Sequence, residues 1–401
     1  MFQFHLIKGK FACERNPMNR IAIKMLVGDR SKYFGILVGL TFSSLLLTMQ
    51  LSVFSGIMSR TFGFITDIGF PEIWVTDPKV QFIDDVKPLL DTELYRVRSV
   101  AGVAWAQPLY KGILKVRLAN GNFQSCNVLG LDDTTLIGGP SRMVQGTLAD
   151  LRRADAVIVD EVGSQDKLAN KMSNGQTIPL KVGDSIEIND HRAVVVGICK
   201  VSRTFQSQPV IYTTYTRATT FAPSERKLLS FILATPKPGQ DVYEVCRRIE
   251  NATGLAAMPR YEFKKKTLLY FLKSTGLPIN FGIAVFFAFL VGTIIAGMTF
   301  YNFTMENMRY FGTLKAMGAT NSLLLRMIVI DAVLVGAIGY SLGVGGAALV
   351  GFIFRNTEMA FLLLPHTLVA IAVVVTAICV LTSSLCIHKI MKLEPAIVFK
   401  T

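Results

Sequence analysis

The chain has 401 residues, of which 51% are hydrophobic and only 17% are charged, and its formal net charge is +14 at pH 7. This composition excludes an ordinary soluble domain of this length and indicates a membrane protein. The positive charge fits the basic flanks of membrane spans and attraction to anionic lipids, so it requires no nucleic-acid partner.

Long apolar runs locate the membrane spans. A helix needs about 20 mostly apolar residues to cross roughly 30 Å of hydrocarbon, and four segments reach that length. The predicted spans are residues 33–53, 279–301, 327–354 and 363–386. We expect the first span to be a retained anchor, because the segment before it is too long and too polar for a signal peptide.

The distribution of Lys and Arg predicts the orientation. Residues 1–32 contain seven Lys and Arg against two acidic residues, and short basic flanks of this kind stay in the cytoplasm. The segment 302–326 and the tail 387–401 then lie in the cytoplasm as well, whereas the short loop 355–362 lies outside. The sequence therefore predicts a multi-pass protein of a bacterial inner membrane, with both termini in the cytoplasm.

The long segment 54–278 separates the first two spans, and this orientation places it outside the cytoplasm. The elements expected in it are a helix over 84–97, strands over 103–118 and 123–129 joined at Asn120-Gly121, a helix over 161–171, and a small barrel-like antiparallel sheet around Asn189-Asp190. Asn-Gly is a strong signal for a two-residue hairpin turn. The predicted fold is thus four transmembrane α-helices with a large mixed α/β extracytoplasmic domain inserted between the first and the second.

The sequence offers no catalytic chemistry. It contains no G-x-x-x-x-G-K-[ST] motif, so the chain has no P-loop for a nucleotide, and its four histidines lack metal-ligand spacing. We therefore expect no catalytic residue, cofactor or metal on this chain. Cys126, Cys199 and Cys246 fall in the exported segment, where an odd number cannot all pair within one chain, and their disulfide state stays open.

Two features fall inside the third span. Gly339 and Gly343 form a G-x-x-x-G motif, which predicts close packing against another helix. Asp331 lies near the start of the same span, and a charge at the bilayer centre would cost about 2.5–3.5 kcal/mol on insertion scales. We expect this intramembrane acid to face protein in a structural role, because a proton relay needs partners in other spans and the sequence shows none there.

The stretch ENMRYFGTLKAMGATNS, residues 306–322, lies between the second and third spans. Tyr310, Leu314 and Met317 recur at helical spacing, which predicts a short amphipathic helix at the inner face of the membrane. Gly318 is a helix stop, and Thr320-Asn321 is a new helix start.

This stretch resembles the segment that follows the second span in MacB/FtsX-like ABC-transporter permeases, approximately E-R-x-x-E-I-G-x-x-x-A-x-G-A-[ST]. The residues in register are Glu306, Arg309, Gly312, Lys315, Ala316, Gly318 and Ala319. Asn307 and Tyr310 depart from the pattern, where the family has an Arg and an acid. The order of one span, a large outer domain and three further spans is similar to the family too, and residues 21–50 and 276–282 look closest to its DevC-like branch.

The resemblance implies a permease that works by mechanotransmission. Glu306, Arg309, Gly312, Lys315 and Gly318 would contact a separate ATPase subunit, which binds ATP with Mg²⁺ and whose closure moves rigid spans and the exported domain. The expected partners are a second copy of the chain, as a homodimer or within a heterodimer, membrane lipids, and in the DevC-like branch a periplasmic adaptor and an outer-membrane channel. Lipid, glycolipid, lipoprotein and drug-like molecules all stay open as export cargo.

The alternative is an FtsX-type signalling protein, in which the exported domain regulates a cell-wall hydrolase and nothing is transported. Neighbouring genes for an adaptor and a channel would favour export, and a neighbouring hydrolase gene would favour regulation.

Overall fold

The structure is a computed structural model that describes residues 30–118, 120–171, 177–223 and 229–391. The chain divides into two compact units, a helical unit up to Gly56 and from Pro278 onwards, and an α/β unit over Ile57–Leu277. Most of the basic N-terminal segment and the end of the C-terminal tail, which contribute to the predicted orientation, lie outside the described residues.

The helices and strands are numbered in chain order. The helices are α1 (Arg30–Thr61), α2 (Gly63–Asp67), α3 (Asp91–Arg98), α4 (Glu161–Gln165), α5 (Tyr215–Phe221), α6 (Val242–Thr253), α7 (Arg260–Ser274), α8 (Leu277–Glu306), α9 (Met308–Ala316), α10 (Asn321–Ile353) and α11 (Pro365–Met391), with short 3-10 helices at Leu148–Arg152 and Phe354–Asn356. The strands are β1 (Ile73–Thr76), β2 (Val103–Arg117), β3 (Phe123–Leu131), β4 (Arg142–Gln145), β5 (Ala156–Asp160), β6 (Asn170–Lys171), β7 (Thr177–Ile178), β8 (Ser185–Ile188), β9 (His191–Lys200), β10 (Val210–Thr214), β11 (Phe231–Pro236) and β12 (Ala256–Pro259).

The helical unit is built from α1, α8, α10 and α11. Each of these four helices is long and apolar enough to cross a membrane, so the prediction of four spanning helices is confirmed. Their shared core contains apolar side chains from every one of them, among them Leu40, Phe300, Val335 and Ile378. The helices extend beyond several of the predicted spans, because a search for apolar runs stops at the first polar residues while the backbone of α8 and α10 stays helical past them.

Small residues bring these helices close together. Gly39 on α1 faces Ile295 on α8, and Gly292 on α8 faces Ser43 on α1. Between membrane helices, close backbone approach of this kind replaces the hydrophobic driving force that packs helices in water.

The α/β unit is organised around one large sheet, with the strand order β12-β1-β11-β2-β3-β10-β5-β9-β4 and β8 paired to both β2 and β9. The long hairpin of β2 and β3 keeps one antiparallel register from Leu109–Leu131 to Arg117–Phe123. Gly121 in its turn has a φ of +82°, a conformation that glycine adopts readily. The hairpin predicted at Asn120-Gly121 is therefore confirmed, but its two-residue turn is wrong, because the Leu118 N–H donates to the Asn122 carbonyl at 2.8 Å and three positions lie between these two residues.

A second hairpin joins β8 to β9, where Asn189 and Asp190 have φ values of 47° and 64°. Two consecutive positive φ angles are the signature of a type I′ turn. The hairpin itself was expected, but the separate barrel-like sheet is wrong, because β9 also pairs with β5 and so joins the large sheet.

Alternate residues of the central strands enter different clusters of the core. Leu109 and Leu129 belong to a cluster with Trp74 and Phe231, whereas Tyr110 and Val128 belong to another. Successive side chains of a strand point to opposite faces of a sheet, so helices and loops cover both faces.

Two predicted helices are shorter than expected. The helix over 84–97 begins only at Asp91, because Pro88 disfavours helical geometry in the preceding residue and the Leu89 N–H donates to the Leu229 carbonyl at 2.8 Å instead. The helix over 161–171 ends at Gln165, after which the chain turns into β6.

Candidate functional site

The segment between α8 and α10 forms the short helix α9, which we take as the candidate coupling site. A break at Asn307 separates α9 from α8, and the Asn307 side-chain amide donates to the Phe303 carbonyl at 2.9 Å. At the other end Gly318 has a φ of +95°, and α10 begins at Asn321 with Thr320 as its N-cap residue. The stop at Gly318 and the new start at 320–321 are thus confirmed.

One face of α9 is packed against the beginning of α10. Phe311 is 2% exposed and forms an apolar cluster with Leu324, Met327 and Ile328, against which Leu314 also packs. The predicted short helix is confirmed, and Leu314 packs as expected, but Tyr310 and Met317 are wrongly assigned to the buried face. Tyr310 is 62% exposed and Met317 is 72% exposed, because contact with α10 selects Phe311 and Leu314 as the inner pair.

The residues proposed to contact an ATPase fall into three environments. Glu306, Arg309 and Gly318 are exposed, Lys315 is half-buried, and Gly312 is buried. A direct contact by these residues stays a prediction. Sequence reasoning missed that Tyr310 and Met317 are exposed beside Arg309, and that Phe311 anchors the helix. The result is a small surface with exposed apolar side chains and a charged rim, which is the usual composition of a protein contact.

The third span contacts α1 through its glycines. A methyl group built on Gly339 would lie 2.8 Å from Leu40 Cβ, and one on Gly343 would lie 2.5 Å from Ser44 Cβ. Asp331 on the same helix is 3% exposed, and its Oδ1 has no hydrogen-bond partner among the described residues. The carboxyl group thus faces protein, where its oxygen is removed from water.

The described residues contain no cluster of three or more His, Cys, Asp or Glu that could hold a metal ion. Cys126, Cys199 and Cys246 of the α/β unit are free and buried. Burial raises the pKa of Cys246 to about 12, so at neutral pH this thiol is protonated and a poor nucleophile.

Comparison with known proteins places this architecture in a family. Residues 34–252 match the MacB-like periplasmic core domain, and residues 282–395 match the FtsX-like permease C-terminal domain. No curated protein matches the chain.

Two solved structures resemble parts of the chain at low identity. The periplasmic region of MacB from Actinobacillus actinomycetemcomitans is 13% identical with a TM-score of 0.36, and the match covers 50% of this chain and 94% of that one. The extracellular domain of the noncanonic ABC-type transporter YknZ from Gram-positive bacteria is 13% identical with a TM-score of 0.33, covering 47% and 98%. The first family match alone spans 219 of the 401 residues. The chain therefore belongs to the MacB/FtsX-like family of ABC-transporter permeases, inner-membrane proteins whose extracytoplasmic α/β domain follows the first of four spanning helices.

Proposed function

We propose that this chain is the permease subunit of an ABC transporter, and that it couples ATP hydrolysis by a separate ATPase to movement of its extracytoplasmic domain. The family supports the proposal, because its permeases are generally non-catalytic and imply an ABC ATPase partner. The lack of a P-loop motif in the sequence also supports a second polypeptide that binds ATP and Mg²⁺. The movement drives export of a lipid, glycolipid, lipoprotein or drug-like cargo.

The exposed face of α9 is the observation that carries the proposal. Tyr310 and Met317 are large apolar side chains that are exposed in the described part of the chain, and the charged residues Glu306 and Arg309 of the same segment are exposed as well. Exposed aromatic residues and Met next to Arg are enriched in protein interfaces. The ATPase covers this face in the assembled transporter.

The buried face of α9 supports transmission of force. Phe311 and Leu314 are packed on the first turns of α10, and only Asn307 separates α9 from α8. Close-packed side chains resist compression, so a push on α9 reaches two spanning helices at once. The two units are joined covalently at residues 56–57 and 277–278, and the spans transmit the movement through those connections.

The proposed assembly contains two copies of the chain, because the ATPase partner works as a dimer. Both chain termini and α9 lie in the cytoplasm, and the α/β unit lies outside, in accord with the charge bias of the sequence. A periplasmic adaptor and an outer-membrane channel complete the assembly if the chain belongs to the DevC-like branch.

Co-purification of the ATPase with variants of the full chain tests the proposal. We expect Tyr310→Ala and Glu306→Lys each to weaken the complex by about tenfold or more, as loss of an interface hot spot does, and to abolish ATP-dependent export. Tyr243→Ala is the matched control, because Tyr243 is 54% exposed on α6 of the α/β unit. Wild-type ATPase binding by both Tyr310→Ala and Glu306→Lys would exclude this face as the docking site.

Regulation of a cell-wall hydrolase is the second candidate function, since the matched C-terminal domain is named for FtsX. Because the proposed coupling helix serves export and hydrolase regulation equally, the two functions must be distinguished by reconstituting the protein in proteoliposomes. ATP-dependent release of a labelled lipid from proteoliposomes supports export. ATP-dependent activation of a hydrolase without release of any cargo would replace the export proposal with the regulatory one.

A further inference from the structure

The loop over residues 77–90 joins β1 to α3 and contacts both α7 and the large sheet. Val80 and Ile83 of this loop are 0% and 2% exposed, and they belong to the apolar cluster that contains Phe263 of α7 and Leu129 of β3. Most loops run over the surface of a protein and move more than the elements they connect. This one, which we call the bridging loop, is instead held by side chains buried in the core of the α/β unit.

The bridging loop contacts the last turns of α7 through an aromatic side chain. The ring of Phe82 stacks on that of Tyr270, with a centroid distance of 4.4 Å and an interplanar angle of 15°. It also meets the Phe271 ring edge-on, with centroids 5.4 Å apart. Both arrangements are among those that aromatic pairs favour. Only Thr275 and Gly276 separate α7 from α8, so this contact lies close along the chain to a spanning helix.

The same loop is bound to the central strand β2 by an ion pair. The Lys111 ammonium group donates to Asp84 Oδ1 at 2.5 Å. Lys111 is only 6% exposed, and lysine is almost never fully buried unless it is paired. Removal of one partner from such a pair leaves a buried charge without compensation, which is strongly destabilising. The pair therefore fixes the position of Asp84 relative to β2.

Hydrogen bonds hold the residues around these two contacts in a compact turn. The Asp85 N–H donates to the Phe82 carbonyl at 3.0 Å, and the Gln81 N–H donates to Asp85 Oδ2 at 3.1 Å. Phe82 and Asp84 therefore belong to one hydrogen-bonded turn. We expect a displacement of the Phe82 ring to carry the Asp84 carboxylate with it.

The two ends of α7 are connected to the sheet in different ways. Near its beginning, Phe263 packs directly on Trp74 of β1, with centroids 5.4 Å apart, and on Phe231 of β11, with centroids 6.0 Å apart. Near its end, α7 is linked to β2 through the bridging loop. Lys111 pairs with Leu129 in the ladder of β2 and β3, so the loop connects the end of α7 to the long hairpin.

We propose that Phe82 and Asp84 are positioning residues that transmit movement of α7 to the β2–β3 hairpin. This role rests on the proposed function, in which ATP hydrolysis moves the extracytoplasmic domain. Close-packed rings resist compression, so a displacement of the last turns of α7 displaces Phe82, the turn carries Asp84, and the ion pair shifts Lys111 on β2. Energetic coupling between distant sites can travel through contiguous chains of packed and hydrogen-bonded groups of this kind.

Hydrogen–deuterium exchange followed by mass spectrometry tests this role in the assembled transporter. The full chain and its co-purified ATPase are reconstituted in lipid nanodiscs, and exchange is compared without nucleotide and after trapping with ATP, Mg²⁺ and vanadate. Peptides from residues 260–274 report on α7, and peptides from residues 103–131 report on the hairpin. In the wild type, trapping should change the exchange of both regions.

Variants of Phe82 separate transmission from folding. Phe82→Ala removes the ring contact and should abolish the change in the hairpin while the change in α7 persists, whereas Phe82→Tyr keeps the ring and should preserve both changes. Phe70→Ala is the matched control and should respond like the wild type, because Phe70 also stacks on an aromatic ring, that of Trp105 on β2, but lies outside the bridging loop. A purely structural defect would instead raise exchange in both regions without nucleotide.

A double variant breaks the other end of the link. Lys111→Met combined with Asp84→Asn removes the ion pair and leaves no buried charge unpaired. This double variant should also lose the change in the hairpin and keep the change in α7, so it tests the link even if Phe82→Ala does not fold.

The outcomes distinguish the bridging loop from the transporter as a whole. A hairpin response of wild-type size in either Phe82→Ala or the double variant would overturn the role of the loop and leave the proposed function intact. A wild type in which α7 responds and the hairpin does not would have the same meaning. If α7 does not respond in the wild type with the ATPase bound, the proposed function fails, and the role of the loop fails with it.

Discussion

Contact between α10 and α1 leaves no room for one added methyl group at Gly343. A Cβ there would lie 2.5 Å from Ser44 Cβ and 2.7 Å from both Ser44 Oγ and the Thr41 carbonyl oxygen. Ordinary contacts of a Cβ begin near 3.4 Å, so the two helices must separate locally by about 0.9 Å. The Thr41 oxygen belongs to the backbone, which cannot rotate away as a side chain can.

Gly343→Ala changes the free energy of unfolding through two opposing effects. Overpacking a close contact costs about 1–3 kcal/mol, and replacing Gly by Ala inside a helix regains about 1 kcal/mol. Gly345 supplies the matched control, because it lies on the same helix and a Cβ there meets nothing within 4 Å. Gly345→Ala keeps the helix gain without the clash, so the two variants should differ in unfolding free energy by about 1–3 kcal/mol.

Titration of the full chain with sodium dodecyl sulfate in mixed micelles, followed by far-ultraviolet circular dichroism, measures this difference. Gly343→Ala should lose its helical signal at a lower detergent fraction than the wild type, and Gly345→Ala at an equal or higher one. Gly343→Val should shift further in the same direction. If Gly343→Ala is as stable as Gly345→Ala, the third span does not depend on this contact.

Further predictions concern the α/β unit and the energy source. Hydrogen bonds from Thr147 hold the pKa of Asp150 below its ordinary 3.8, so this acid stabilises the fold above pH 3.8 and the effect disappears as pH falls through the lowered pKa. Asp150→Ala should therefore lower the midpoint of thermal unfolding at neutral pH, and the difference from wild type should vanish in strong acid. An impermeant maleimide should label Lys115→Cys in intact cells with a permeabilised outer membrane, and labelling only after lysis would reverse the orientation. The native thiols of the unit, Cys126, Cys199 and Cys246, should react only after denaturation, because they are buried. The purified chain should hydrolyse no ATP until the ATPase subunit is added. ATP hydrolysis by the chain alone would contradict the proposal that a separate subunit hydrolyses ATP.

Short stretches of sequence predicted those parts of the fold that are determined by residues close together in the chain. A spanning helix needs only a sufficient run of apolar residues, and a two-residue hairpin needs only turn residues that accept positive φ. The four long helices, the two-residue turn at Asn189-Asp190 and the hairpin at Asn120-Gly121 belong to this class, although the loop of that last hairpin is one residue longer than predicted. These helices and turns form regardless of which distant segment packs beside them.

The order of strands in the sheet depends on distant segments and could not be predicted in this way. β10 lies between β3 and β5, parallel to the first and antiparallel to the second, although long stretches of chain separate all three. The burial of Lys111 has the same origin. Its spacing on β2 fits an exposed residue, but segments distant in sequence, which carry Phe64, Asp84 and Phe205, lie around it.

The helix α9 shows that periodicity alone cannot determine which face of a short helix is buried. Over nine residues, a period of 3.6 allows Tyr310 with Leu314 or Phe311 with Leu314 to define the inner face, because each pair lies three or four positions apart. The choice is made by the cluster at the start of α10, in which Phe311 meets Leu324 and Met327. Once Phe311 is inside, Tyr310 and Met317 must face outward. The same packing that fixes α9 to a spanning helix therefore leaves Tyr310 and Met317 exposed, so the anchored face and the proposed ATPase contact follow from a single choice of helical face.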